Sequence, residues 1–222
     1  MLIPKIIHYI WLGGRAMHPL MIQWREGWGK LHPGWDIKVW TEGRDIEELV
    51  AGSLIAKSRY PHLLKRCCHL SQRSNIWRYE IIEQFGGLYL DTDFEPIKRI
   101  EPLIENTPSF AGQAYTCYKE TGVKLEIGCS LIGAMPHHPW LQHLTNNIEE
   151  RDPTIHGSLG FGYFTQITKQ HPEVHLFEPD VFYSTRNDDQ GRYKPLVPLA
   201  AYAVHRWSNN WFHNGFYPLS AP

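Results

Sequence analysis

No stretch of this sequence is apolar for long enough to cross a bilayer. Its opening, MLIPKIIHYIWLGG, is interrupted by His8 and Gly13, whereas a spanning helix needs about 20 apolar residues. The same opening is too short for a secretory signal. Charge of one sign is also missing: 22 basic residues stand against 23 acidic ones, for a formal net charge of −1. A surface that grips nucleic acid through its phosphates is therefore not expected. Cysteine is scarce, with Cys67, Cys68, Cys117 and Cys129 the only four, two of them adjacent and none in a CxxC. That pattern fits neither a zinc site nor a disulfide framework and suits a reducing cytoplasm. With 20% charged and 42% hydrophobic residues, the chain has the makeup of neither a disordered segment nor a coiled coil.

What the sequence does contain is enough chain for a core. A domain of 222 residues buries roughly 70 to 75% of its unfolded surface without help from a disulfide or a metal. Aromatics reach 13%, including nine Trp and eleven Tyr, flat side chains that serve in cores and also stack on bases and sugars.

Residues 3–12 are β-branched and aromatic and end at Gly13-Gly14, which predicts a buried first strand and a glycine turn. Leu20, Trp24, Trp28 and Leu31 recur at helical spacing until His32-Pro33-Gly34, and residues 35–41 resume as a strand. Strand, helix, strand opens an α/β sheet. A second helix is predicted over 70–85, with Leu70, Trp77, Ile81 and Phe85 on its apolar face, Ser71, Asn75 and Arg78 as a polar strip beside it, and Gly86-Gly87 as its stop. Strands are further expected at 88–90, 94–98, 110–115, 130–134, 174–177 and 202–204, a helix at 139–148, and glycine-rich loop structure at 157–162. The segments 116–126 and 184–194 read as loops that shape substrate choice.

The chemistry concentrates at Asp91-Thr92-Asp93, where two acids follow the apolar run Leu88-Tyr89-Leu90. Strand alternation would point Asp91 and Asp93 the same way. Two carboxylates side by side repel unless a cation lies between them, and oxygen ligands of this kind suit Mg²⁺ or Mn²⁺ completed by substrate phosphates and water. A bare D-x-D is by itself more often a solvated turn.

Its surroundings add to it. RSNIWRYEIIEQFGGLYLDTDF, residues 73–94, resembles the pattern K/R-S-D-x-x-R-Y-x-x-x-x-x-x-G-G-x-Y-x-D-x-D of DXD-containing glycosyltransferases, and IPKIIHYIWLGG resembles the first strand of the same proteins. The chain thus resembles glycosyltransferase family 32, the family of fungal initiating mannosyltransferases and bacterial capsular-polysaccharide enzymes, and more distantly the glucosyltransferase domains of clostridial toxins. The likeness is clear over residues 3–98. It continues more weakly through Ser130 to Ala134 with Pro136-His137-His138-Pro139, then residues 160–165 and 202–207. It implies a GT-A fold, an α/β single domain over 1–222 with a mixed central sheet flanked by helices. Residues 1–98 would bind the nucleotide sugar, and 99–222 would supply the acceptor side and a closing C-terminal segment.

By that resemblance Trp11 borders or stacks on the nucleotide base, although the apolar residues around it equally suit a core position. Arg78 contacts the donor sugar or its phosphates, the rival role being an ion pair with Glu80, Glu83 or another acid. Asp91 contacts ribose and donor sugar and approaches the metal, Asp93 ligates it directly, and His205 reaches the metal or the diphosphate. Trp207 and Ser208 are further donor-site candidates. The catalytic set is then Asp91, Asp93 and Arg78, the donor-binding set is Trp11, Asn75, Arg78, Asp91, Trp207 and Ser208, and the metal set is Asp93, Asp91 and His205. Two departures stand out. Asn75 replaces the acid expected to hydrogen-bond ribose, and Cys129 takes a place where relatives often have Asn.

The resemblance implies a retaining, Mn²⁺- or Mg²⁺-dependent hexosyltransferase of polysaccharide biosynthesis. It would move a sugar from a UDP- or GDP-sugar to a hydroxyl of a glycan or related acceptor, with no protein base named. The alternatives are a sugar-nucleotide or carbohydrate-binding protein without turnover and a metal-dependent phosphohydrolase. The aromatic segment from His205 to Trp211 is expected to close over the donor.

Overall fold

A computed structural model describes residues 2–14, 16–41, 58–155, 157–186 and 197–208. Six strands form one mixed sheet: β1 (Ile6–Ile10), β2 (Asp36–Trp40), β3 (Gly87–Leu90), β5 (Ser109–Tyr118), β6 (Gly122–Ala134) and β7 (His175–Phe177), in the order β2-β1-β3-β6-β5-β7. β1 runs parallel to β2 and to β3, β6 is antiparallel to β3 and β5, and β7 is parallel to β5. The short β4 (Phe94–Pro96) and β8 (Ala203–His205) make a separate antiparallel pair.

The helices are α1 (Pro19–Leu31), α2 (Pro61–Arg66), α3 (Leu70–Phe85), α4 (Glu101–Ile104), α5 (Pro139–Asn146), α6 (Phe161–Thr168) and α7 (Pro179–Phe182). They cover the sheet on both faces. On one, Trp77, Trp140 and Phe164 of α3, α5 and α6 pack over Tyr89 and Ile132. On the other, Trp28 of α1 and Phe182 of α7 join Ile7, Leu88, Leu90, Phe110 and Leu131, together with Phe94 and Ala203 of the small sheet. The alternation Leu88, Tyr89, Leu90 across these two cores follows from the pleat.

The first-strand motif explains itself structurally. His8 is wholly buried, accepts at Nδ1 from the Trp40 indole (3.1 Å) and sits with Nε2 3.0 Å from the Gly86 carbonyl. One imidazole therefore ties β1 to β2 and to the end of α3. Gly86 stops that helix with φ 63, and a Cβ on Gly87 would meet the Ile6 carbonyl at 2.6 Å; only glycine passes β1 this closely.

Several expectations are corrected. Residues 116–126 are not a loop but the outer end of a long hairpin in which Tyr115 pairs with Leu125 and Cys117 with Val123. The expected strand at 94–98 stops at Pro96 and joins β8, not the main sheet, because the ring of Pro96 removes a donor. Gly162 lies inside α6, and the helix from Pro139 ends at Asn146 before a 3-10 turn at Ile148–Glu150. Leu70 and Phe85 are partly exposed, 37% and 39%, while Gln72, Asn75 and Arg78 are buried. The inner face of α3 is thus wider than its apolar residues alone suggest. Much of 184–194, and Trp211, lie outside the described residues.

Candidate active site

The carboxyl ends of β1 and β3 open into one cleft, lined by Trp11 and Leu12 beyond β1, by Leu70 and Ser74 of α3, by Asp91, Thr92 and Asp93 beyond β3, and by Ser208. Ligands of open α/β sheets bind at such an edge. β3 ends at Leu90, so the two acids do not share a strand face as expected. Asp91 donates its backbone N–H to Ser130 (2.9 Å), and the Phe94 N–H reaches back to the Asp91 carbonyl (3.3 Å), closing a tight turn. Thr92 then points to Met21, its hydroxyl 3.5 Å from the thioether sulfur. The turn, not strand alternation, brings the acids together.

Each acid is held from a different layer. Asp91 keeps the face of Tyr89, whose hydroxyl donates to Asp91 Oδ1 at 2.5 Å, and Arg78 Nη2 lies 3.2 Å from the same oxygen. Arg78 is 2% exposed. Its Nε donates to the Ser74 carbonyl, Nη1 to the Cys129 carbonyl at 2.8 Å and Nη2 to the Ser74 hydroxyl at 3.0 Å, and its guanidinium lies 4.7 Å from the Tyr89 ring centroid. Burial opposes that charge most strongly, but Asp91, with Tyr89, Cys129 and Tyr79, together outweigh it and hold Arg78 above its ordinary range. The expected polar strip of α3 thus turns inward at Arg78, which pairs with Asp91 and not with Glu80 or Glu83.

Asp93 faces the small sheet. Its Oδ1 is 3.1 Å from His205 Nε2, and its Oδ2 accepts from both the Ser208 N–H and hydroxyl at 2.8 Å. Burial alone would push its carboxyl up; His205 and the two Ser208 donors outweigh it and bring it down to about 2. The backbone helps: Arg206 donates its N–H to the Asp93 carbonyl, its guanidinium pairs with Glu95, and Trp207 adopts φ 48. That left-handed residue turns the chain so that Ser208 comes back to Asp93. Trp207 itself packs edge-on against His205 with centroids 4.3 Å apart, and its indole donates to Thr185.

The structure therefore gathers Trp11, Asp91, Asp93 and Ser208 around one cleft, with His205 behind Asp93, Arg78 behind Asp91 and Trp207 behind His205. Asn75, the residue after Ser74, is buried, and a Cβ at Gly160 would lie 3.9 Å from its amide nitrogen. Cys129 contributes its carbonyl to Arg78, while burial pushes its thiol up to about 11, so the sulfur is inert. Sequence reasoning passed over Ser74 and Tyr89. The position of Tyr89, two residues before Asp91, was the available signal.

Ligand atoms of Asp91, Asp93 and His205 lie within 4.8 Å of one another, the one such group of three among the described residues. Two carboxylates and an imidazole suit Mn²⁺ or Mg²⁺. His205 Nδ1 is buried with no hydrogen-bond partner, so this ring is not held by an ordinary two-ended hydrogen-bond network. The donor set fits a divalent cation.

Residues 20–110 match the family model described as the glycosyltransferase sugar-binding region containing the DXD motif. Among curated proteins, a mannosyl phosphorylinositol ceramide synthase of Saccharomyces cerevisiae is 26% identical over 183 residues, covering 77% of this chain and 43% of the relative. An uncharacterized glycosyltransferase of Acanthamoeba polyphaga mimivirus is 26% identical over 225 residues, covering 95% and 84%. The solved PaToxG glycosyltransferase shares the fold, with a TM-score of 0.52 at 18% identity over 77% of this chain and 70% of that one. The chain spans less than half the length of the yeast relative. Among the described residues no helix is long and apolar enough to cross a membrane.

Proposed function

From the match of residues 20–110 to the DXD-containing sugar-binding region and the fold shared with a solved glycosyltransferase, we propose that this chain is a DXD-containing glycosyltransferase of GT-A fold that transfers a hexose from a nucleotide-diphosphate sugar to a hydroxyl of a glycan or related acceptor, with retention. The observation that carries the reading is the convergence of Asp91, Asp93 and His205 at the carboxyl end of β3, in the cleft that also exposes Trp11.

Asp91, Asp93 and His205 would hold Mn²⁺ or Mg²⁺. The bound cation would offset the charge that gathers on the diphosphate as it leaves. Tyr89 and Arg78 hold Asp91 Oδ1, and its other oxygen would serve the cation. Trp11 offers an aromatic edge for the base. Arg78 has its N–H groups engaged by Ser74, Cys129 and Asp91, which supports a role in positioning Asp91 and not direct contact with the donor. Trp207 and Ser208 would exclude water from the reacting bond. A place in polysaccharide assembly follows the same resemblance. A reducing, cytoplasmic setting is supported by Cys67, Cys68, Cys117 and Cys129, which are all free thiols.

The test is release of UDP or GDP from a panel of nucleotide sugars with Mn²⁺ and a glycan acceptor, repeated with EDTA. The yeast relative's name puts mannose first among the donors to try. Binding of a nucleotide sugar without release would indicate a binding protein, and release of inorganic phosphate a phosphohydrolase.

A further inference from the structure

A second cluster of titratable groups lies at the opposite edge of the sheet, near the start of β5, where Phe110 pairs with His175. His143 of α5 and His171, just beyond α6, meet edge to face with ring centroids 5.1 Å apart, and His143 Nδ1 is 2.9 Å from His171 Nε2. On the far side of the second ring, Glu173 Oε1 is 2.7 Å from His171 Nδ1. A carboxylate in that position accepts the Nδ1 proton, so the lone pair of Nε2 is aimed at His143.

Two ring nitrogens this close share one N–H···N hydrogen bond, and a metal ion held by both lone pairs can take the place of that proton. In a tetrahedral site with Zn–N bonds of about 2.0–2.1 Å, neighbouring ligand nitrogens are about 3.3 Å apart. The observed pair is within a few tenths of an ångström of that spacing. A carboxylate hydrogen-bonded to the outer nitrogen of a histidine is also the usual support of a metal-ligating imidazole. The surroundings do not oppose a cation: Glu173 is negative, and burial lowers the pKa of His138, the neighbouring histidine, so that it stays neutral near pH 7.

We propose that His143 and His171 form a binding site for a divalent cation of the imidazole-preferring kind, Zn²⁺ above all, with Glu173 orienting His171 and water completing the shell. The site is separate from the acid cluster and joins α5 to the connection between α6 and β7, so the ion acts as a cross-link in the helical layer.

The experiment is calorimetric titration of Zn²⁺ into the metal-stripped full chain near pH 7.5. A zinc site present in the wild type and in Asp93→Asn, absent from His143→Gln and from His171→Gln, and weakened about 10-fold or more in Glu173→Gln is expected. Unchanged zinc isotherms in both histidine variants, or complete loss of binding in Asp93→Asn alone, would overturn the proposal. Should a variant fail to fold, the wild type gives the answer through diethylpyrocarbonate labelling read by mass spectrometry. Zn²⁺ should protect His143 and His171, and equal labelling with and without Zn²⁺ rules the site out.

Discussion

Arg78 Nη2 and Asp91 Oδ1 lie 3.2 Å apart with side chains only 2% and 6% exposed, an ion pair sealed between α3 and the end of β3. Deleting one partner of a buried pair leaves the other charge uncompensated, which costs about 3–5 kcal/mol. Arg78→Met is expected to lose that much in urea unfolding, and combining it with Asp91→Asn should recover part of the loss. A single variant within 1 kcal/mol of wild type would show that the pair matters little to the fold.

Asp93→Asn and His205→Ala should separate chemistry from packing. The amide can still accept from Ser208, so Asp93→Asn is expected to fold normally yet lose nucleoside diphosphate release by 100-fold or more, as chelation of the metal would. His205 packs on Phe94, Tyr183 and Trp207 at centroid distances of 4.7, 5.4 and 4.3 Å. Its removal should therefore cost about 2–4 kcal/mol of stability as well as turnover. Melting curves read beside activity per folded molecule check both.

The His8 imidazole gives a pH dependence of known sign. Burial brings its pKa down from 6.5 to about 4, so the unfolded chain binds a proton that the folded chain refuses. Its contribution is complete above about pH 6.5 and declines as pH falls toward 4, at up to about 1.4 kcal/mol per unit. Urea unfolding at pH 7 and pH 5 should show a drop about 2 kcal/mol larger in wild type than in His8→Gln. Parallel pH profiles would refute the assignment.

Gly133 has no room for a methyl group: a Cβ there would lie 2.0 Å from the Phe110 ring, which is fully buried. Gly133→Ala is expected to destabilise by about 1–3 kcal/mol or more. Adding Phe110→Leu should make the double variant less costly than the sum of the two singles, a coupling that a double-mutant cycle reads directly.

The residues that were legible in advance share a local cause. Gly86-Gly87 stops α3 because of its backbone, Leu88 to Leu90 alternates between two cores, and only Thr92 separates Asp91 from Asp93. The direction of Arg78 was not legible, since the helix spacing that sets it beside Asn75 does not say that Asp91 waits on the next strand. The β5–β6 arm escaped for a related reason. Lys119, Glu120, Lys124 and Glu126 give residues 116–126 the polarity of a loop, while the pairing that makes them strand lies across the hairpin. His205 is placed with the acids by the family resemblance alone, not by any local signal, and it is the β4–β8 ladder that brings it to Asp93.

That ladder also fixes when the cleft can exist. During synthesis Asp91 and Asp93 leave the ribosome long before Ala203 to Ser208, and until then Phe94 to Pro96 has no strand to pair with and Asp93 lacks the donors of His205 and Ser208. A chain ended before Ala203 would thus carry every strand of the main sheet but neither the ladder partner of β4 nor the His205 and Ser208 contacts of Asp93. The last described strand to emerge is the one that completes the group of Asp91, Asp93 and His205.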